Sequence, residues 1–170
     1  VINIYDPTCG TGGMLSESDK LIRDKETGLN PGANLQLFGQ EYNPESYAIC
    51  GSDLMIKDKE VTNIVFGNTL GTGKSKEGFV DGDGHPDKSF HYMLANPPFG
   101  VEWKPEKDNV TREHNEFGFK GRFGPGLPRI NDDALLFLMH MISKMRPAPK
   151  QGGEGSRIAV VFNGSPLFTG

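Results

Sequence analysis

The stretch "DPTCGTGGML" (6–15) constrains this chain most. It follows "INIYD" (2–6), which reads as a strand, and opens "GMLSESDKLIRD" (13–24), whose Met14, Leu15, Leu21 and Ile22 predict one apolar side of a helix. Gly10, Gly12 and Gly13 stand at the hand-over. A strand that feeds a helix through glycines begins a right-handed crossover to a parallel neighbour. The same alternation continues. "LQLFGQE" (35–41) is a second strand, and a helix starts with Asn43 as N-cap and Pro44 as first helical residue. "VTNIVFGN" (61–68) and "FHYMLANPP" (90–98) read as the third and fourth strands. "NDDALLFLMHMISKMRPAP" is the clearest helix, with Asp132 and Asp133 at the positive end of its dipole and Pro147 ending it. Its Leu135, Leu138, Met139, Ile142 and Met145 follow helical spacing, and the apolar opposite face predicts deep burial. "RIAVVF" (157–162) is continuously apolar, as a strand covered on both faces would be. The expectation is an α/β fold with a mostly parallel sheet flanked by helices.

Two segments resist this pattern. Residues 71–89 read as a polar insertion, and residues 100–130 as a long irregular connection. Within the first, "GTGKS" (71–75) resembles a phosphate-binding loop, but the spacing requires a glycine where Asn68 stands. "DGDGHPD" (81–87) lacks the spacing and closing Glu of a calcium loop and is read as turns. His114 and Glu116 lack the Cys pair of a zinc deaminase. Cys9 and Cys50 have no metal-ligand spacing, so neither a zinc site nor a disulfide framework is expected, and a reducing cytoplasm is. A net charge of −4 argues against a protein that grips nucleic acid with its whole surface. A start at Val1 and an end at "SPLFTG" are read as the limits of one piece, a single domain, of a longer protein.

The glycine turn lies where ligands bind in such sheets, at the carboxyl ends of the strands. The dinucleotide fingerprint fails, because Leu15 occupies the place of its third glycine. Asp6 before the turn would repel a pyrophosphate and suits a cation. Glu41 ends the second strand, where a carboxylate accepts ribose hydroxyl protons. A ligand with a ribose and a positive charge but no phosphate fits, and S-adenosylmethionine is one. The alternative is a tight turn with no ligand, against which the two acids count.

"NPPF" (96–99) closes the fourth strand. Its prolines remove two backbone donors and stiffen the chain. Asn96 Oδ1 and the Pro97 carbonyl suit the two protons of an exocyclic amine on a planar base, with Phe99 stacked on the ring. The alternative is a strand broken by prolines over a buried Phe. Residues 117–129, "FGFKGRFGPGLPR", place Lys120, Arg122 and Arg129 among three Phe side chains without an acid. That composition suits contact with DNA, and equally a mobile cover for the active site.

With these motifs the sequence resembles the amino-methyltransferases of DNA, above all the modification (M) subunit of type I restriction–modification systems, which methylate adenine N6. "DPTCGTGGML" resembles that family's first motif with Thr8 in place of Ala, "GNTL" (67–70) its motif after the third strand, and "ANPPFG" its catalytic motif. "DDALLFLMHMI" and "GSRIAVVFNGSPLF" resemble the later helix and strand. The resemblance implies a Rossmann-like methyltransferase fold truncated at both ends, with residues 1–170 a piece of the catalytic domain. It implies S-adenosylmethionine as cofactor, with Asp6, Thr8, Gly10, Thr11, Gly12 and Gly13 at its methionine end. Glu41 falls on the ribose, and Asn68, Thr69 and Leu70 near the cofactor adenine. Asn96, Pro97, Pro98 and Phe99 fall at the catalytic position, and Asp132 in a region that helps close the pocket. DNA and the specificity and restriction subunits are the implied partners, and no metal is implied. Two other readings stay open: a methyltransferase of protein glutamine amides with the same N-P-P chemistry, and a subunit that only assembles a complex.

Overall fold

In the computed structural model, which describes residues 1–74, 76–162 and 164, a single sheet organises the chain. The elements are β1 (Ile2–Asp6), α1 (Gly13–Arg23), β2 (Leu35–Glu41), α2 (Pro44–Ile56), β3 (Ile64–Asn68), β4 (Val80–Asp81), β5 (Tyr92–Ala95), α3 (Lys107–Phe117), α4 (Ala134–Ser143) and β6 (Arg157–Val160). The strand order is β4-β3-β2-β1-β5-β6, and every pairing is parallel. The α/β expectation holds.

The chain winds outward from β1 to β4 and then returns to lay β5 on the other side of β1. Connections on the two sides of that seam leave in opposite directions, which opens a crevice at the carboxyl ends of β1 and β5. Both sequence motifs fall there: the glycine turn follows β1, and "NPPF" follows β5.

Successive residues of the central strands serve opposite faces, because side chains alternate along a strand. Ile4 and Leu37 pack with Leu15, Cys50 and Leu54 on one face. Tyr5 and Phe38 pack with Phe90, Met93 and Met141 on the other. A third cluster of Leu70, Trp103, Val110, Phe123, Leu136 and Phe137 lies beside the sheet and anchors the segment between β5 and α4. Helix α2 begins as its sequence predicts: Asn43 Oδ1 accepts from Ser46 N at 3.0 Å, with Pro44 as first helical residue. Among the described residues no helix is long and apolar enough to cross a membrane.

Four expectations change. On α1 the buried residues are Leu15, Ser16 and Asp19, whereas Leu21 is exposed. Asp19 is drawn inward by Arg23 and Lys59, which is at 2.7 Å. On α4 the inward stripe is Leu136, Phe137, His140 and Met141, while Ile142 and Met145 are exposed. Leu135, Leu138 and Met139 are half-buried, and the helix ends at Ser143, before Pro147 is reached. Strand β6 is the edge of the described sheet and alternates exposed with half-buried residues rather than being covered on both faces. Segments 71–89 and 100–130 are structured: β4 adds to the sheet in the first, and α3 forms in the second. Ser75 of "GTGKS" and all but Gly164 of the "NGSPLF" run lie outside the described residues.

Candidate active site

The turn after β1 is built by glycine conformation. Gly10 and Gly12 have φ of +55° and +83°, a region that side chains with a Cβ rarely adopt. A Cβ on Gly12 would also stand 2.7 Å from Cys50 Sγ, so α2 packs directly under the turn. Glu41 ties this turn to the end of β2. One carboxylate oxygen accepts from Gly10 N at 2.8 Å and the other from Asn43 N at 2.7 Å. Two backbone donors therefore fix its rotamer before any ligand arrives.

Asp6 is buried at the end of β1, where Thr8 N and Thr8 Oγ1 donate to Oδ1 at 2.9 and 3.3 Å. Burial pushes its carboxyl up to about 7; the Thr8 bonds oppose this, and the Glu41 charge adds to it. At the end of β3, Asn68 Oδ1 accepts from Leu70 N and Gly71 N, and Asn68 Nδ2 donates to Glu106 at 2.8 Å. Its acceptor capacity is turned to the loop rather than outward. Thr69 Oγ1 donates to the Pro7 carbonyl at 2.7 Å and joins the ends of β3 and β1.

Between these strand ends lies one cavity of about 540 Å³, within the range of small-molecule sites. Thr8, Glu41, Asn68, Thr69 and Leu70 line it together with Asn96 and Pro98. Asp6 and the glycines 10, 12 and 13 form the turn without lining the cavity, Thr11 is exposed, Pro97 is buried and Phe99 is 44% exposed. The Asn96 side chain and the Pro97 carbonyl have no hydrogen-bond partner among the described residues. The Asn96 acceptor is thus free on the cavity wall, with the unpartnered Pro97 carbonyl next to it in the chain.

The charge of the lining is one-sided. Glu41, Glu102, Glu106 and Asp133 contribute carboxylates, and among the described residues no Lys, Arg or His lines the cavity. Such a surface repels phosphate and attracts a cation.

The model of one protein family, N-6 DNA Methylase, matches residues 2–170, the length that carries both strand-end motifs. The chain belongs to the N-6 DNA methylase family.

This N-6 DNA methylase chain is 25% identical over 167 residues to the type I restriction enzyme MpnII methylase subunit of Mycoplasma pneumoniae, covering 96% of this chain and 27% of that protein. It is 32% identical over 129 residues to the MjaVII methylase subunit of Methanocaldococcus jannaschii, covering 72% of this chain and 20% of that protein. It therefore spans about a quarter of the length of these relatives. In fold it matches the crystal structure of a type I restriction–modification methyltransferase subunit from Streptococcus thermophilus, with a TM-score of 0.68 and 20% identity over 99% of this chain and 30% of that one.

The methylase chain also places residues that its sequence did not mark. Tyr42, Val101, Pro105, Phe137 and the acids Glu102, Glu106 and Asp133 line the cavity. Tyr42 had a signal, since it follows Glu41 directly. The three acids sit in or beside a segment without strong periodicity, and only the fold brings them to the strand ends.

Of the three basic residues singled out between 117 and 129, Lys120 and Arg129 are exposed and their side chains have no partner among the described residues. Arg122 is held inside. Its guanidinium donates to Glu113 at 2.7 Å, to the Thr69 carbonyl at 2.6 Å and to the Leu70 carbonyl at 3.3 Å, and it lies over the Phe123 ring. It also reaches His140 Nδ1 at 3.4 Å. Burial and the Arg122 charge push His140 down to about 3, so the ring is neutral. Arg122 can only donate, so Nδ1 accepts and Nε2 donates to the Tyr5 hydroxyl 3.0 Å away.

Proposed function

We propose that residues 1–170 are the catalytic part of a type I modification subunit that transfers a methyl group from S-adenosylmethionine to the N6 amine of an adenine flipped out of DNA. The observation that carries this reading is the single cavity in which the Thr8–Glu41–Asn68 side and the Asn96–Pro98 side meet. The family match over residues 2–170 favours adenine in DNA over a glutamine amide. Unpartnered acceptors at Asn96 and Pro97 favour catalysis over a purely assembling role. Specificity and restriction subunits in the cytoplasm are the partners proposed for the whole protein, since the relatives are methylase subunits of type I restriction enzymes.

The lining fits the cofactor. Among the described residues it offers carboxylates and no cation, as suits a ligand with a sulfonium, an ammonium and no phosphate. Glu41 takes the ribose, the buried Asp6 lies under the glycine turn at the methionine end, and Asn68, Thr69 and Leu70 bound the adenine end. When bound, S-adenosylmethionine supplies the activated methyl group.

The protein's part is orientation and charge. An adenine amine is a poor nucleophile because its lone pair is delocalised into the ring. Asn96 Oδ1 and the Pro97 carbonyl accept hydrogen bonds from its two N–H groups and draw the nitrogen towards tetrahedral geometry. They are aimed at charge that grows in the transition state, where stabilisation accelerates the reaction. Turning the base out costs on the order of a few kcal/mol. Stacking on the half-open Phe99 ring offsets about 1–3 kcal/mol of that.

The direct test is incubation of the full-length protein, in its complex, with unmethylated chromosomal DNA and labelled S-adenosylmethionine. N6-methyladenine in the hydrolysed DNA is expected. Label that appears in protein glutamine, or nowhere, overturns the reading.

Two further results are expected. A bound cation stabilises ionised Asp6, whose folded-state carboxyl titrates at about 7 against 3.8 unfolded. Cofactor affinity is therefore full above pH 7 and weakens as pH falls below it, by up to about tenfold per unit. Asp6→Asn lowers the affinity and flattens this limb in calorimetric titrations; a wild-type affinity constant from pH 8 to 6 contradicts the role. Lys120 and Arg129 are the proposed phosphate contacts. Replacing both by Gln reduces the slope of log affinity against log salt by about 0.9 for each lost contact, and an unchanged slope removes them from the DNA surface.

A further inference from the structure

Among the carboxylates that line the cavity, Asp133 is the buried one, and the reaction above gives it no task. It stands at the N-cap of α4, where an Asp side chain ordinarily accepts from the first free N–H groups of the helix. Its side chain makes no such bond. It is only 4% exposed, and Oδ1 has no hydrogen-bond partner among the described residues. Leaving a buried acceptor unpaired is costly, and a fold that retains one calls for an explanation. The charged groups facing it are all acids: Asp132 beside it and Glu106 before α3, with Glu41 and Glu102 further around the same cavity. Burial, opposed by its own backbone N–H and reinforced by Asp132 and Glu106, raises its carboxyl to about 7.

Methylation leaves the amine nitrogen with one proton too many. The acceptors at Asn96 and Pro97 are neutral amide oxygens, too weakly basic to keep it. We propose that Asp133 is the catalytic residue that receives this proton, an inference that rests on the N6-adenine reading. The balance is simple. The N6–methyl bond forms, and the methyl–sulfur bond breaks with its electron pair going to sulfur. N6, now bearing an extra proton and a positive charge, gives one proton to the Asp133 carboxylate. Asp133 ends protonated and then returns the proton to water. A base that titrates near the working pH suits this exchange best.

Asp133→Asn tests the role, because Asn keeps the size and the capping ability while losing the basicity. In the full-length complex, with unmethylated chromosomal DNA and saturating S-adenosylmethionine, wild-type single-turnover rates should rise with pH up to about 7 and then level. The variant should be slower by about 10²-fold at pH 8, with no such limb. Saturation keeps the binding effect of Asp6 out of the comparison. Two readouts do not depend on turnover. Cofactor affinity measured by calorimetry at pH 6, where Asp133 is mostly protonated and carries no more charge than Asn, should stay within about twofold. The variant's Tm should gain on the wild type as pH rises from about 4 to 7, because Asp133 is disfavoured in its charged form and Asn never charges. A variant that retains the rate or the limb overturns the proposal, as does a tenfold loss of cofactor affinity or a Tm difference that does not vary with pH. Wild-type protein that makes no N6-methyladenine removes the adenine reading and this inference together. Wild-type activity beside an unaffected variant removes only the role of Asp133.

Discussion

Asn96→Ala in the full-length protein should cut methyl transfer by at least about 10²–10³-fold, the cost of removing one preorganised group aimed at developing charge. Cofactor affinity should change by less than about twofold. The separation is expected because Asn96 follows β5, two strands across the sheet from β2 and Glu41. Its side chain is exposed and bonded to no described residue, so its loss leaves the fold intact. Single-turnover rates and calorimetric titration read the two quantities independently. If both fell together, Asn96 would be shaping the cavity rather than holding the amine, and the assigned role would fail.

Arg122→Met should produce the largest loss of stability. The substitution keeps the apolar stem and removes a guanidinium that serves Glu113, two backbone carbonyls and His140. The side chains of Arg122 and Glu113 are 13% and 18% exposed, so Glu113 would be left as a poorly solvated, unpaired charge. Breaking one side of such a pair costs about 3–5 kcal/mol, and residual solvent contact places this case near the lower figure. Tm should fall on the order of 10 °C. Glu113→Gln made on top of Arg122→Met should cost little more, whereas additive losses would deny the pairing. Lys120→Met, two residues away and exposed, should stay within about 0.5 kcal/mol of wild type.

The parts of the fold legible in the sequence are those whose signals are local. Gly10 and Gly12 announce the turn because few other residues take their backbone angles, and Asn43–Pro44 announce α2 because the cap is a contact between near neighbours. "NPPF" marks a strand end for the same reason. Helix α3 escaped because only Val110 of its eleven residues is buried, so it carries almost no apolar periodicity. It is held by contacts outside itself: Asn109 Nδ2 on the Leu70 carbonyl at 3.1 Å, His114 on the Phe123 carbonyl at 2.6 Å, and Arg122 on Glu113. Helix α4 is apolar all round, so periodicity detects the helix and leaves its rotation undetermined. Asp132 and Asp133 look alike in sequence. The turn into α4 alone decides which carboxylate enters the cavity.

The outer flank of the sheet has a practical corollary. Strand β6 presents an unpaired row of backbone donors and acceptors among the described residues; Val161 directly after it is exposed, as are Ile142 in α4, which packs on β6, and Met145 just past that helix. An open strand edge with apolar side chains near it is a template for adding a foreign strand. Residues 1–170 prepared alone should thus self-associate as concentration rises, with β6 seeding the contact, and a lysine placed on that border should keep the preparation monodisperse.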